Sequence, residues 1–336
     1  MKIGHCDTDQ KVLIIAEIGN NHEGDYTLAE EMIGLAAQAG AGGVKFQTFR
    51  TEHYVSHKDE ARFAMLKRFE LTEEELRRLK KTADDAGILF LSTPFDLKSA
   101  EFLNELVPAF KIASGDNTFY PLIEKVASFQ KPILLSTGMA SLPQISYAKA
   151  LIDKVWADLG TEQELVLLHC VTSYPVPPKE VNLKMISLLE RTFGCVVGYS
   201  DHTLGIETAI VSVAAGARIV EKHFTMNKTY SDFRDHQLSA DPEDLKALVE
   251  QIRRVEESLG SDLKVLQDCE KPLVKTLRRS IVATRDMDEG DIVGPEDITW
   301  VRVTGTIPPG KEALVLGKRL TKPVPKGEPF TTDALK

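Results

Sequence analysis

Eight short apolar runs recur along the chain up to about residue 258, and segments with helical spacing separate them. The runs cover residues 12–18, 43–48, 88–93, 109–113, 132–136, 165–171, 195–198 and 218–224. Continuous apolar runs of this length suit strands buried on both faces of a parallel sheet. Between the first two, Leu28, Met32, Leu35, Ala36 and Ala39 fall on one helical face. Eight βα units within roughly 250 residues predict an α/β protein with a closed (β/α)8 TIM barrel. A doubly wound open sheet is the alternative. It normally carries a Gly-rich nucleotide loop after the first strand, and Gly19-Asn20-Asn21-His22 is no such loop.

The pattern changes near residue 260. Residues 261–278 are charged and read as a linker. Arg279-Ser280-Ile281-Val282-Ala283 then opens a short strand. Beyond it, turn residues recur every few positions, at Gly290, Gly294-Pro295, Pro308-Pro309-Gly310, Gly317, Pro325 and Gly327. This punctuation predicts a small β-rich domain over residues 279–336, after a barrel over residues 1–260. Glu289-Gly290-Asp291-Ile292-Val293 is echoed by Lys326-Gly327-Glu328-Pro329-Phe330.

Composition narrows the functional classes. With 43% hydrophobic and 27% charged residues, the chain of 336 residues has the apolar content to build a core. A formal net charge of −9 repels nucleic acid and anionic membranes, so neither is an expected partner. An anionic substrate then requires a locally basic pocket. The polar start from Met1 to Gln10 lacks the apolar centre of a signal peptide, and no apolar run is long enough to span a bilayer. Cys6, Cys170, Cys195 and Cys269 form no C-x-x-C pair and read as reduced thiols, which points to the cytoplasm.

Barrel active sites lie at the C-terminal ends of the strands, and all eight exits here are polar. In order they offer Glu17, Gly19, Asn20, Asn21 and His22; Lys45, Gln47 and Thr48; Ser92 and Thr93; Lys111, Ser114 and Asp116; Ser136, Thr137 and Gly138; His169, Thr172 and Tyr174; Ser200, Asp201 and His202; Lys222, His223 and Thr225. Helix capping explains some of these residues but not polar exits from every strand. They read as one shared site. His202 and His223 end successive strands and, facing each other across the rim, can hold a divalent metal, with Asp235 and His236 in a polar loop behind them. Lys45 and Lys111 can neutralise phosphate or carboxylate, or can equally be paired with Glu17 or another acid. Ser92-Thr93, Ser114-Gly115 and Ser136-Thr137-Gly138 can line an anion site.

Eight motifs at these exits resemble the sialic acid synthase family, in the family's order. They are IIAEIGNNHEGD from Ile14, VKFQT from Val44, STPF from Ser92, KIASGDN from Lys111, LSTGM from Leu135, LLHCVTSYP from Leu167, GYSDHT from Gly198 and EKHFT from Glu221. The C-terminal segment resembles the antifreeze-like (SAF) domain that ends such enzymes. The resemblance implies condensation of phosphoenolpyruvate with an N-acylated amino sugar, giving a nine-carbon 2-keto sugar acid, with manganese or magnesium as cofactor. It implies that His202 and His223 are metal ligands. Lys45, Thr93, Lys111, Ser114, Ser136 and Ser200 match groups that hold phosphoenolpyruvate; Gln47 and Tyr174 match positions facing the sugar. Glu17 matches an acid beside the reacting centre, and Asp235 an acid near the metal. It also implies a homodimer in which the C-terminal domain caps the partner's barrel and lends an arginine, for which Arg302 is the candidate.

Two departures bear on the sugar. Asp116 replaces a glutamate of well-known members, and Thr172 replaces an asparagine of the neuraminate-forming ones. Two rival functions remain open on the residues alone. One is a metal-independent Schiff-base aldolase using Lys45 or Lys111. The other is a non-catalytic sugar-binding protein on the same fold.

Overall fold

Each apolar run forms a strand in a computed structural model that describes all 336 residues. The strands are β1 (Leu13–Gly19), β2 (Gly43–Thr48), β3 (Leu89–Pro94), β4 (Phe110–Ile112), β5 (Ile133–Ser136), β6 (Leu165–Cys170), β7 (Val196–Asp201) and β8 (Ile219–His223). They lie in one sheet in the order β3-β2-β1-β8-β7-β6-β5-β4, and every ladder is parallel. Pairing of β8 with β1, from Ile219 against Leu13 to His223 against Glu17, returns the last strand to the first and rolls the sheet into a barrel. The seam lies between β3 and β4, which are adjacent without a ladder.

Side chains alternate between the inside and outside of the barrel. Leu13, Ile15, Leu89, Leu91, Leu134, Val166, Leu168 and Ile219 fill the inside near the strand starts, packed with Met1 and Ile3 of an N-terminal hairpin. Ile14, Val44, Phe46, Phe90, Phe110, Leu135, Val197 and Val220 belong to the outer core beneath the helices. Helix starts are set by caps. Asp25 accepts from the Thr27 and Leu28 N–H groups before helix Tyr26–Gln38, and Thr72 with Glu75 forms a reciprocal capping box before helix Glu73–Asp85. The first of these helices buries Leu28, Met32 and Ala36 as its spacing predicts. Truncating Met32 to alanine would cost about 2–5 kcal/mol, the usual penalty for a core cavity.

The chain divides into two units, Met1–Gly260 and Ser261–Lys336. In the second unit, the charged segment after residue 260 includes an exposed helix, Lys271–Leu277. Strands β9 (Arg279–Ala283) and β10 (Ile298–Arg302) pair antiparallel. Ile281, Met287, Val293, Ile298, Val315, Leu320, Val324 and Phe330 form this unit's own core. The sequence echo has a structural counterpart: Gly290 and Gly327 turn the chain at φ +94° and +86°, and Val293 and Phe330, three residues after each, are both buried. All four cysteines are free thiols. No helix is long and apolar enough to cross a membrane.

Candidate active site

The alternation that packs leucine at the strand starts carries polar groups inward two residues later. Leu91 is followed by Thr93, Leu134 by Ser136, Leu168 by Cys170, and Ile219 by Glu221 and then His223. Glu17, Lys45, Lys111 and Ser200 sit at corresponding inward positions. With His202, they line a cavity of about 860 Å³ at the C-terminal ends of the strands, within the volume range usual for small-molecule sites.

At its base the charges form one buried network. Lys45 Nζ lies 2.8 Å from Glu17 Oε2 and 3.6 Å from Glu221 Oε2, and donates to Thr93 Oγ1 at 3.0 Å. Lys111 Nζ is 3.3 Å from Glu221 Oε1, which also accepts from Ser200 Oγ at 2.8 Å. Burial opposes the Lys45 ammonium, but Glu17 and Glu221 outweigh it and raise its pKa above the ordinary lysine value. Lys111 is pushed down by burial despite Glu221. Burial also works against charge on Glu221, yet Lys111 and Lys45 together hold its pKa at about 2. Glu17 is raised, by burial first and then by the Glu221 charge, so it is the carboxyl of this pair that takes a proton first.

Polar groups beside this network lack partners. Ser136 Oγ and Thr172 Oγ1 are buried without a hydrogen bond. Ser114 Oγ accepts from the Gly138 N–H at 3.1 Å. A Cβ on Gly138 would come within 2.3 Å of Thr172 Oγ1 and 2.6 Å of Ser114 Oγ, so only glycine allows these hydroxyls to converge. Unsatisfied buried donors beside two lysines suit an anion.

His202 and His223 are neighbours on adjacent strands, not opposed across the rim as the spacing suggested; their ring centres are 5.5 Å apart. His202 Nδ1 lies 2.9 Å from the Val171 carbonyl, an arrangement that leaves Nε2 available. His223 Nδ1 is buried without a partner, and burial lowers its pKa well below the usual value, keeping the ring neutral. His202 differs: burial opposes its charge, but the neighbouring Cys170 outweighs this and raises its pKa, so a divalent cation would have to displace any proton from that ring before the two imidazoles serve as a partial donor set. No group of three or more His, Cys, Asp or Glu side chains assembles, so substrate and water oxygens have to complete the coordination. Tyr174 stacks 4.2 Å from the His202 ring and Asp235 lines the same wall, its carboxyl raised by burial against the opposing pull of Arg234.

Not all polar exits share the site. Thr48 and Ser92 face outward and bond each other at 2.7 Å. His169 meets the Val181 carbonyl, and Thr137 donates to the Leu168 carbonyl. Lys222 and Asp201 form a fully buried ion pair at 2.9 Å on the outer side. His236 is a loop strut, 2.7 Å from Thr225 Oγ1 and 3.2 Å from Glu23 Oε1. Strand parity separates these groups from the inward set, so the exits form an inner site and an outer scaffold. Of the remaining candidates, Gln47 lines the cavity and donates to Glu17 at 3.4 Å. Thr93 supports Lys45 without lining the cavity, and Asp116 lies in the turn Ser114–Asp116, its carboxyl raised to about 6 by burial. Arg302 is exposed at the end of β10, paired opposite Arg279 within the second unit.

Glu221 and Cys170 are the inward residues that the motif reading passed over. Each was within reach: Glu221 stands two residues before His223 on the same strand face, and Cys170 two after Leu168. Cys170 Sγ lies 3.7 Å from His202 Nδ1.

Two family models match the chain. The model of the NeuB family matches residues 32–264, and the SAF domain matches residues 278–336. An uncharacterised protein of Methanocaldococcus jannaschii is 44% identical over 323 residues, 95% of this chain and 94% of its own. The N,N'-diacetyllegionaminic acid synthase of Campylobacter jejuni is 40% identical over 93% of this chain and 97% of its own length. The crystal structure of the N-acetylneuraminic acid (sialic acid) synthetase from Leptospira borgpetersenii in complex with citrate is similar at a TM-score of 0.76 and 34% identity. That match covers 82% of this chain and 94% of the other.

Proposed function

Because the chain belongs to the NeuB family, whose named members here are nonulosonic acid synthases, we propose that it condenses phosphoenolpyruvate with an N-acylated amino sugar to give a nine-carbon 2-keto sugar acid and phosphate. The observation that carries this reading is the pair of buried lysines beside unsatisfied hydroxyls, in the same cavity as two adjacent histidines. A basic anion site and a carbonyl-polarising site thus share one cavity.

Lys45, Lys111 and Ser200 take the phosphate and carboxylate of phosphoenolpyruvate, exchanging their contacts with Glu17 and Glu221 for contacts with substrate oxygens. Ser136 and Thr172 supply further donors. His202 and His223 hold a divalent cation, manganese or magnesium, which when bound acts as a Lewis acid toward the sugar carbonyl. Gln47 and Tyr174 orient the open-chain sugar so that its carbonyl carbon meets C3 of phosphoenolpyruvate. The enol π electrons form the new carbon–carbon bond, and the carbonyl oxygen becomes a hydroxyl by taking a proton. Water adds to the cationic C2 and loses one proton; the C2–O bond to phosphate then breaks with its electron pair going to phosphate, as the new C2 hydroxyl gives up its remaining proton to leave the ketone. Glu17 and Asp235, both raised by burial, carry these protons. Positioning and fixed charge supply most of the acceleration. The active species is a homodimer in which the C-terminal unit of one copy covers the partner's barrel and contributes Arg302.

The test is a phosphate-release assay with phosphoenolpyruvate against a panel of N-acyl amino sugars. Sugar-dependent release is expected. Sugar binding without consumption of phosphoenolpyruvate would instead favour a binding protein. One observation favours the Schiff-base reading: burial lowers the Lys111 pKa. Borohydride trapping of a substrate on Lys111 would establish it.

A further inference from the structure

Strands β7 and β8 pair in register from Ile219 against Gly198 to Lys222 against Asp201, and their ladder ends there. His202 and His223 stand one residue beyond that last rung. From this point the two chains take different backbone partners. The His202 carbonyl accepts from the Val176 N–H, and the Phe224 N–H donates to the Glu17 carbonyl. The ladder between β7 and β8 therefore does not by itself fix how far apart the two rings lie.

A side-chain link continues where the ladder stops. Lys222 Nζ lies 2.9 Å from Asp201 Oδ2 and also donates to the Thr203 carbonyl. Asp201 Oδ1 accepts from the Thr203 N–H at 2.9 Å, the Thr203 hydroxyl at 2.8 Å and the Tyr199 hydroxyl at 3.0 Å. Lys222 thus grips the residues on both sides of His202 while standing next to His223 on its own strand. Both charged side chains are buried and neither lines the cavity. A buried ion pair is often no more stabilising than apolar side chains of similar volume, so stability alone gives no reason for charges at these positions. The rings, however, need support from outside. The Val171 carbonyl steadies His202 through Nδ1, but His223 Nδ1 has no hydrogen-bond partner. A metal-binding imidazole is ordinarily oriented by a bond through its other nitrogen. For His223, the backbone it shares with Lys222 has to supply that orientation.

We infer that the outer ion pair of Lys222 and Asp201 is the positioning device that fixes the spacing of His202 and His223 and, through it, the affinity of the site for a divalent cation. The inference rests on the metal reading above. Lys222 and Asp201 touch neither cation nor substrate; they act through the histidines that follow them in the chain.

The experiment uses the full-length chain and the double variant Lys222→Met with Asp201→Asn. This variant removes both charges together, so neither is left buried alone, and the amide oxygen still accepts from Thr203 and Tyr199. Mn2+ binding is read by the electron paramagnetic resonance of the free ion. Phosphoenolpyruvate binding is read by calorimetry on metal-free protein, and the positions of isotope-labelled histidine rings by NMR on the same metal-free protein. Mn2+ binding is expected to weaken roughly tenfold to a hundredfold, the usual effect of losing an outer partner of a metal site. Phosphoenolpyruvate binding should stay close to wild type. The His202 and His223 resonances should move, while those of the exposed His5, His53 and His57 should not. Lys222→Arg keeps the charge balance with a different reach and is expected to lose less Mn2+ affinity; it is read in the same way if the double variant does not fold. Wild-type Mn2+ affinity in a folded variant overturns the inference, as does a parallel loss of Mn2+ and phosphoenolpyruvate binding. If the wild type binds no Mn2+, the metal reading fails, and the histidine resonances decide alone: unmoved rings overturn the positioning role and displaced rings uphold it.

Discussion

Lys45 Nζ and Glu17 Oε2 lie 2.8 Å apart at the base of the barrel, and each side chain is 3% exposed. Neither charge can be left alone at that depth without a large desolvation cost.

Replacing Lys45 with methionine is therefore expected to destabilise the protein by about 3 kcal/mol, because two buried carboxylates lose their shared partner. It should also raise the phosphoenolpyruvate KM or lower kcat at least tenfold, with a smaller effect on the sugar. Denaturant unfolding and steady-state kinetics measure the two effects separately. Lys111→Met should act in the same direction on phosphoenolpyruvate. Normal phosphoenolpyruvate binding by both variants would mean that the phosphate sits elsewhere.

Asp116 makes a pH prediction. Burial raises its carboxyl to about 6 from 3.8. Between those values the folded state holds the proton more tightly than the unfolded state, so stability falls as pH rises and levels off above about 6. Asp116→Asn cannot ionise and escapes that loss. In chelator-treated protein, the variant should gain roughly 1–3 kcal/mol over the wild type at pH 7.5, relative to their difference at pH 3.5. Urea unfolding at the two pH values checks this; an equal difference at both would mean that the carboxyl is solvated.

Much of this organisation could be read from the residues because barrel strands are apolar on both faces. All eight strands lie within a few residues of the apolar runs, and the helix face of Leu28, Met32 and Ala36 is buried as spaced. What the runs conceal is their phase. In Leu13-Ile14-Ile15-Ala16 every position is apolar, so inward and outward residues cannot be told apart there. Hence Lys222 looked like a site residue although it pairs with Asp201 outside, and Glu221 was passed over. The aromatic lining of the cavity left even less trace. Phe69 ends the helix Glu60–Phe69 and Phe233 lies in a loop after β8, far away in sequence, and only tertiary contact reveals their pairing.

The histidine pair predicts metal dependence. Exhaustive chelation should abolish turnover, and manganese or magnesium should restore it, since two protein ligands leave the cation exchangeable. His202→Ala and His223→Ala should each lose activity at least a hundredfold while keeping a cooperative thermal transition. Full activity after chelation would remove the metal from the mechanism.

Arg302 tests the role assigned to the C-terminal unit. Sedimentation should show a dimer, and Arg302→Ala should raise the sugar KM by ten- to a hundredfold, as loss of a charge-assisted hydrogen bond worth about 1.5–3 kcal/mol predicts. An active monomer would refute the shared site.

The most direct measurement follows phosphoenolpyruvate, phosphate and the keto acid product together, by phosphorus NMR and mass spectrometry, with and without an N-acyl amino sugar. The predicted result is one phosphate and one nine-carbon 2-keto acid for each phosphoenolpyruvate consumed, and no consumption without the sugar. Phosphate released at the same rate without sugar, or no consumption of phosphoenolpyruvate with any sugar that binds, would contradict it.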